Sequence, residues 1–85
     1  RGWLAAHFRS GRTATGWVTA MQGDVGFPDL VLTRQPRVLF IECKSERGKL
    51  TSHQQEWARV LAACPGVEYY LWRPRDIDAI HEALK

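Results

Sequence analysis

Three features of this sequence predict a single α/β or α+β domain, a β-sheet with helices packed against it. Its 85 residues suffice for one modest core. Short apolar runs bounded by Gly, Pro and charged turns fill residues 1–50. Two segments of helical periodicity, 51–63 and 76–84, then flank one more strand-like run. With 45% hydrophobic and 25% charged residues, the composition excludes disorder, collagen and coiled coil. The longest uninterrupted apolar stretch, Val38 to Ile41, falls far short of the ~20 residues that span a bilayer.

In chain order, Trp3 to Phe8 reads as a first strand. Ser10 to Gly16, small, polar and basic, reads as a loop. Trp17 to Met21 is a second short strand, and Gly23 to Gly26 is turn chemistry. Asp29 to Thr33 is a third strand, the turn Arg34 to Arg37 follows, and Val38 to Lys44 is the most apolar strand. Glu46 to Lys49 breaks it. Thr51 or Ser52 caps a helix reaching about Ala63, with Trp57, Val60, Leu61 and Cys64 at helical spacing, and Pro65-Gly66 stops it. Val67 to Trp72 is another strand. Asp76 caps a last helix with the stripe Ile77, Ile80 and Leu84.

Charge is unevenly spread. Residues 1–50 hold eight basic and four acidic side chains, net +4, whereas residues 51–85 are net −1. Nine of the twelve cations are arginine, the side chain suited to bidentate phosphate contact, so the basic half is compatible with nucleic acid. The two cysteines, Cys43 and Cys64, lie in no disulfide framework and have no zinc-ligand spacing, which predicts free thiols in a cytoplasmic protein. No signal-peptide pattern follows Arg1-Gly2-Trp3, and the missing initiator Met suggests a piece of a longer chain.

The hairpin of the third and fourth strands carries the chemistry. A two- or four-residue loop centred on Gln35-Pro36 pairs Thr33 with Val38, Val31 with Phe40 and Asp29 with Glu42. Opposed residues have Cβ atoms about 4.5–5.5 Å apart, so two carboxylates there repel unless something neutralises them. A hard divalent cation such as Mg²⁺ does so through oxygen ligands. Alternation puts Lys44 on the face of Glu42 and Cys43 on the other. Two carboxylates and an ammonium then form one compact site suited to charge that develops on a phosphate. An ordinary surface hairpin with a Glu–Lys neighbour pair is the competing reading.

Gly26-Phe27-Pro28-Asp29, then Glu42-Cys43-Lys44, then Gln54 on the following helix resemble the VRR-NUC (virus-type replication-repair nuclease) domain of the PD-(D/E)xK nuclease superfamily. The flanks Lys44 to Thr51, Gln54 to Trp57 and Trp72 to Asp76 agree, and the tight resemblance covers about residues 23–76. It implies a restriction-endonuclease-like α/β core, a mixed central sheet flanked by helices, with residues 1–85 as one domain. It also implies a Mg²⁺- or Mn²⁺-dependent endonuclease acting on branched DNA such as Holliday junctions, as a homodimer of a kind common in phages. The alternative is a catalytically silent DNA-binding module that keeps the fold.

By that resemblance Asp29, Glu42 and the Cys43 backbone carbonyl hold the metal, and Lys44 orients water and meets the scissile phosphate. Gln54 is read either as a site residue or as half of a capping box with Thr51. His7, Arg9, Arg12, Arg47 and Lys49 are candidate phosphate contacts. Pro28 stiffens the approach to Asp29, and Gly26 serves the turn and close approach of a nucleic-acid backbone. The tryptophans are assigned to core or edge positions. The family also has a helix before the first strand with a further acidic ligand. No acidic residue precedes Asp24, so either that helix lies outside residues 1–85 or the metal site is incomplete.

Overall fold

The computed structural model describes residues 2–8, 10–13, 16–19 and 23–85, with 10–13 and 16–19 described as backbone only. Strands β1 (Leu4–His7), β4 (Leu30–Arg34), β5 (Arg37–Cys43) and β6 (Glu68–Trp72) form one sheet in the order β1-β4-β5-β6. The pairs β1–β4 and β4–β5 are antiparallel and β5–β6 is parallel. A parallel neighbour cannot be reached by a tight turn, so the chain crosses over through helix α1 (Ser52–Ala63). A 3₁₀ turn, Pro74–Asp76, leads into helix α2 (Ile77–Ala83).

One expectation fails early in the chain. Residues expected to form a loop from Ser10 are instead strand β2 (Ser10–Thr13), paired antiparallel with β3 (Gly16–Thr19) as a separate two-stranded ribbon. Ser, Gly, Arg and Thr give no apolar alternation, and a backbone ladder needs none.

The β4–β5 register is the one expected: Thr33 faces Val38, Val31 faces Phe40 and Leu30 faces Ile41 around the turn Gln35-Pro36. Strand β5 is nearly continuous apolar sequence because both of its faces are covered. On one face Leu32, Leu39 and Ile41 form the buried core, with Trp3, Leu30, Tyr70, Trp72 and Leu84 against it. On the other, Phe27 packs edge-on against Phe8, Phe40 and Trp57 at centroid distances of 5.2, 6.0 and 5.0 Å. That cluster ties β1, β5 and α1 together beside Pro28, which is buried. Leu39 is 0% exposed at the centre of the sheet. Leu39→Ala is expected to lower the unfolding free energy by about 2–5 kcal/mol in urea titrations; a loss below about 0.5 kcal/mol would remove β5 from the core.

Away from the carboxylates, Arg37 clamps the sheet to α2. Its Nε and one terminal nitrogen each meet the Glu68 carboxylate at 2.7 Å, and Nη1 donates to the Ala83 carbonyl at 2.7 Å. Trp3 lies beneath the Arg34 and Arg37 guanidinium groups at 4.4 and 5.2 Å, and its Nε1 donates to the Leu84 carbonyl. The Arg34 guanidinium donates to the Lys85 carbonyl. The Arg37 bond, then the Tyr70 hydroxyl, holds Glu68 down to about 2.

Two helix expectations change. Asp76 does not cap α2 with its side chain; the 3₁₀ turn intervenes, and the carboxylate accepts from the Arg73 N–H at 2.8 Å instead. Val60, Cys64 and Ile77 are exposed, so the buried stripes are narrower than their helical spacing suggested. Both cysteines are free and exposed. Among the described residues no helix is long and apolar enough to cross a membrane.

Candidate functional site

Asp29 stands immediately before β4, one step beyond the last ladder pair, Leu30 with Ile41. Its carbonyl accepts from the Phe8 N–H at 2.9 Å and its Oδ2 accepts from the Cys43 N–H at 3.0 Å. Two strands therefore hold its carboxylate beside the end of β5. Glu42, only 2% exposed, is the one buried charged residue among those described. Burial, then a hydrogen bond with Asp29 and that residue's charge, pushes Glu42 up from 4.5 to about 8, while Lys44 pulls it down. Asp29 and Glu42 thus meet as the register requires, and burial together with the neighbouring Asp29 favours the protonated form of Glu42.

Gln54 makes the expected capping box, and its side chain also reaches Glu42. Its N–H donates to Thr51 Oγ1 at 3.1 Å, and its Oε1 accepts from the Thr51 N–H at 2.9 Å, completing a capping box. The other end of the same amide, Nε2, donates to Glu42 Oε2 at 3.2 Å. The cap thereby fixes the group that holds the buried carboxylate.

Lys44 follows β5, half-buried, with its N–H donating to the Trp72 carbonyl at 3.0 Å. The loop after it is organised by Arg73, whose Nη1 donates to the Ser45 and Gly48 carbonyls, both at 2.6 Å. Arg75 adds an exposed ion pair to Glu46 at 3.4 Å. Arg47 and Lys49, on that loop, are exposed, as is His7 at the end of β1 that neighbours Leu30. Arg9 and the side chain of Arg12 lie outside the described residues. The part of Arg73 was not read from the sequence, although it stands in the quoted flank Trp72 to Asp76.

Gly26 has a role beyond those expected of it. With φ +93° it presses on the first turn of α1, where a Cβ would come within 2.7 Å of the His53 carbonyl carbon and 2.9 Å of the Gln54 nitrogen. The close approach is to the protein's own backbone. Trp57 Nε1 reinforces it by donating to the Val25 carbonyl at 3.0 Å.

The family model of the VRR-NUC domain matches residues 5–75. The chain belongs to the VRR-NUC family. No curated protein and no solved structure shows a significant match. As a VRR-NUC domain it is nuclease-type, and its mixed four-stranded sheet with two helices is the restriction-endonuclease-like α/β type. The donor set suits a hard divalent cation: two carboxylates held together against their repulsion, one of them buried. Among the described residues no cluster of three or more His, Cys, Asp and Glu could hold a metal ion, which leaves this pair and backbone oxygen.

Proposed function

We propose that this VRR-NUC domain is a Mg²⁺- or Mn²⁺-dependent endonuclease that hydrolyses phosphodiester bonds in DNA. Asp29, Glu42 and the Cys43 carbonyl hold the cation, and Lys44 meets the scissile phosphate. Gln54 keeps Glu42 in place. The observation that carries this reading is Glu42, a carboxylate 2% exposed that is pressed against Asp29 and held at about 8. A buried carboxyl pressed against a second one is costly in a fold that has no further use for it. A cation bound there would neutralise both carboxylates and lower the pKa of its water. Lys44, beside them, carries positive charge to a phosphate oxygen and orients the attacking water. Arg47, Lys49 and His7 are exposed around this end of the sheet and supply sequence-independent phosphate contacts. The substrate is branched DNA, such as a four-way junction, cut by a homodimer that presents two sites to two strands.

The test is cleavage of four-way-junction, flap and plain duplex DNA with Mg²⁺, Mn²⁺ or EDTA. Cutting should require the cation, vanish in Glu42→Ala, and fall about 10²–10³-fold in Lys44→Ala. Undiminished cutting by Lys44→Ala overturns the mechanism, and equal rates on all three DNAs overturn the branched-substrate part. The pair lacking a third carboxylate among the described residues favours one other reading, a silent DNA-binding module. That module would bind DNA in a salt-sensitive way, unchanged when Asp29 or Glu42 is neutralised.

A further inference from the structure

Tyr69 carries a polar group that neither the fold nor the proposed chemistry has yet used. Parallel pairing sets Phe40 opposite Tyr69 and Glu42 opposite Leu71. Side chains alternate along each strand, so Tyr69 shares a sheet face with Phe40 and Glu42. Its hydroxyl is fully buried and has no hydrogen-bond partner among the described residues. Buried tyrosine hydroxyls ordinarily find a partner, because an unmade bond leaves the desolvation of the group uncompensated. Phenylalanine would fill the same space without that penalty. The hydroxyl is therefore a cost to the fold as it stands.

The surroundings indicate the missing acceptor. After burial itself, the charges of Glu42 and then Asp29 hold the proton on the Tyr69 phenol, so both carboxylates lie within its electrostatic reach. In the structure those two carboxyls hydrogen-bond each other, and Glu42 takes its other side-chain bond from Gln54. A carboxylate that holds a cation through one oxygen keeps acceptor capacity on the other, and bonds to a carboxylate are the stronger kind.

We propose that Tyr69 is a positioning residue of the carboxylate site, its hydroxyl donating to the Asp29–Glu42 pair, directly or through one bound water, when a divalent cation is bound there. This rests on the cation-dependent reading above. The residues that orient metal ligands are typically groups of this sort, and losing one weakens metal binding without removing a ligand.

The experiment compares Tyr69→Phe with wild type in two measurements, thermal melting in EDTA and Mn²⁺ binding by calorimetry. In EDTA the variant should melt at the wild-type temperature or above, because no bond is lost. Its Mn²⁺ affinity should fall about 10–100-fold. Unchanged affinity beside a binding wild type overturns the inference alone. A lower melting temperature in EDTA also overturns it, since the hydroxyl would then be serving the fold. A wild type that takes up no Mn²⁺ overturns the cation reading and this inference together.

Discussion

In EDTA the wild-type domain is expected to lose a few kcal/mol of stability as the pH rises from about 5 to about 8, and to regain it when excess Mg²⁺ or Mn²⁺ is added. The cause is Glu42, raised from 4.5 to about 8 by burial and by Asp29. A group whose folded pKa lies above its unfolded value stabilises fully below the unfolded value. That stabilisation is lost as the pH climbs through the folded one, at about 1.4 kcal/mol per pH unit in between. Glu68 works in the opposite sense and at lower pH. Held down to about 2 by Arg37 and Tyr70, it stabilises above 4.5 and is lost as the pH falls toward 2. Metal-free stability should therefore peak near pH 5 rather than at neutrality.

Glu42→Gln separates the causes of the alkaline fall. The amide keeps the shape of the side chain and cannot ionise, so the variant should be flat over the same range in EDTA and more stable than wild type at pH 8. It should also gain little from Mn²⁺. Urea titrations across the range, with and without cation, measure both. A wild type with no alkaline fall would mean that Glu42 is not held protonated by its neighbours.

Why some of this was legible in the sequence and some was not has a physical reason in each case. The Asp29–Glu42 juxtaposition was legible because an even-length turn and the alternation of β4 and β5 leave one register that buries Leu32, Leu39 and Ile41 together. The capping box was legible because Thr51 and Gln54 lie three residues apart on one helix. The second bond of Gln54 was not, since it depends on where the crossover sets α1 above Glu42. Tyr69 was hidden for the same reason. Period 2 says that Tyr69 and Leu71 share a face, but the parallel register that brings that face to Glu42 comes from no local turn. Arg73 reaches carbonyls of residues 45 and 48, which no short-range pattern connects to it. Strand β2 was missed because strand propensity reports side-chain packing and Ser-Gly-Arg-Thr has little to pack, whereas its partner β3 overlaps the strand expected from Trp17.

Gly26→Ala is expected to cost about 2–6 kcal/mol, a large part of the about 4–13 kcal/mol that a domain of this size has. Two effects add. At φ +93° an alanine is strained wherever it sits, by about 1–3 kcal/mol. Its methyl must also displace backbone of α1, since the His53 carbonyl carbon would be 2.7 Å away, and helix backbone does not swing aside as a surface side chain does. Gly66 provides the control. Its φ is +86° with nothing within 4 Å of a built Cβ, so Gly66→Ala carries the strain alone. The difference between the two variants in urea titration isolates the contact, expected at about 1–3 kcal/mol. The displacement also has a direction. Pushing the first turn of α1 away from residues 26–29 separates Gln54 from Glu42, now 3.2 Å apart. Gly26→Ala should therefore weaken Mn²⁺ binding where Gly66→Ala, on the far side of α1 in sequence, does not. Equal costs and equal Mn²⁺ affinities for the two variants would mean that Gly26 serves only its own turn, and that the loop carrying Asp29 is placed by Pro28 and the aromatic cluster around Phe27.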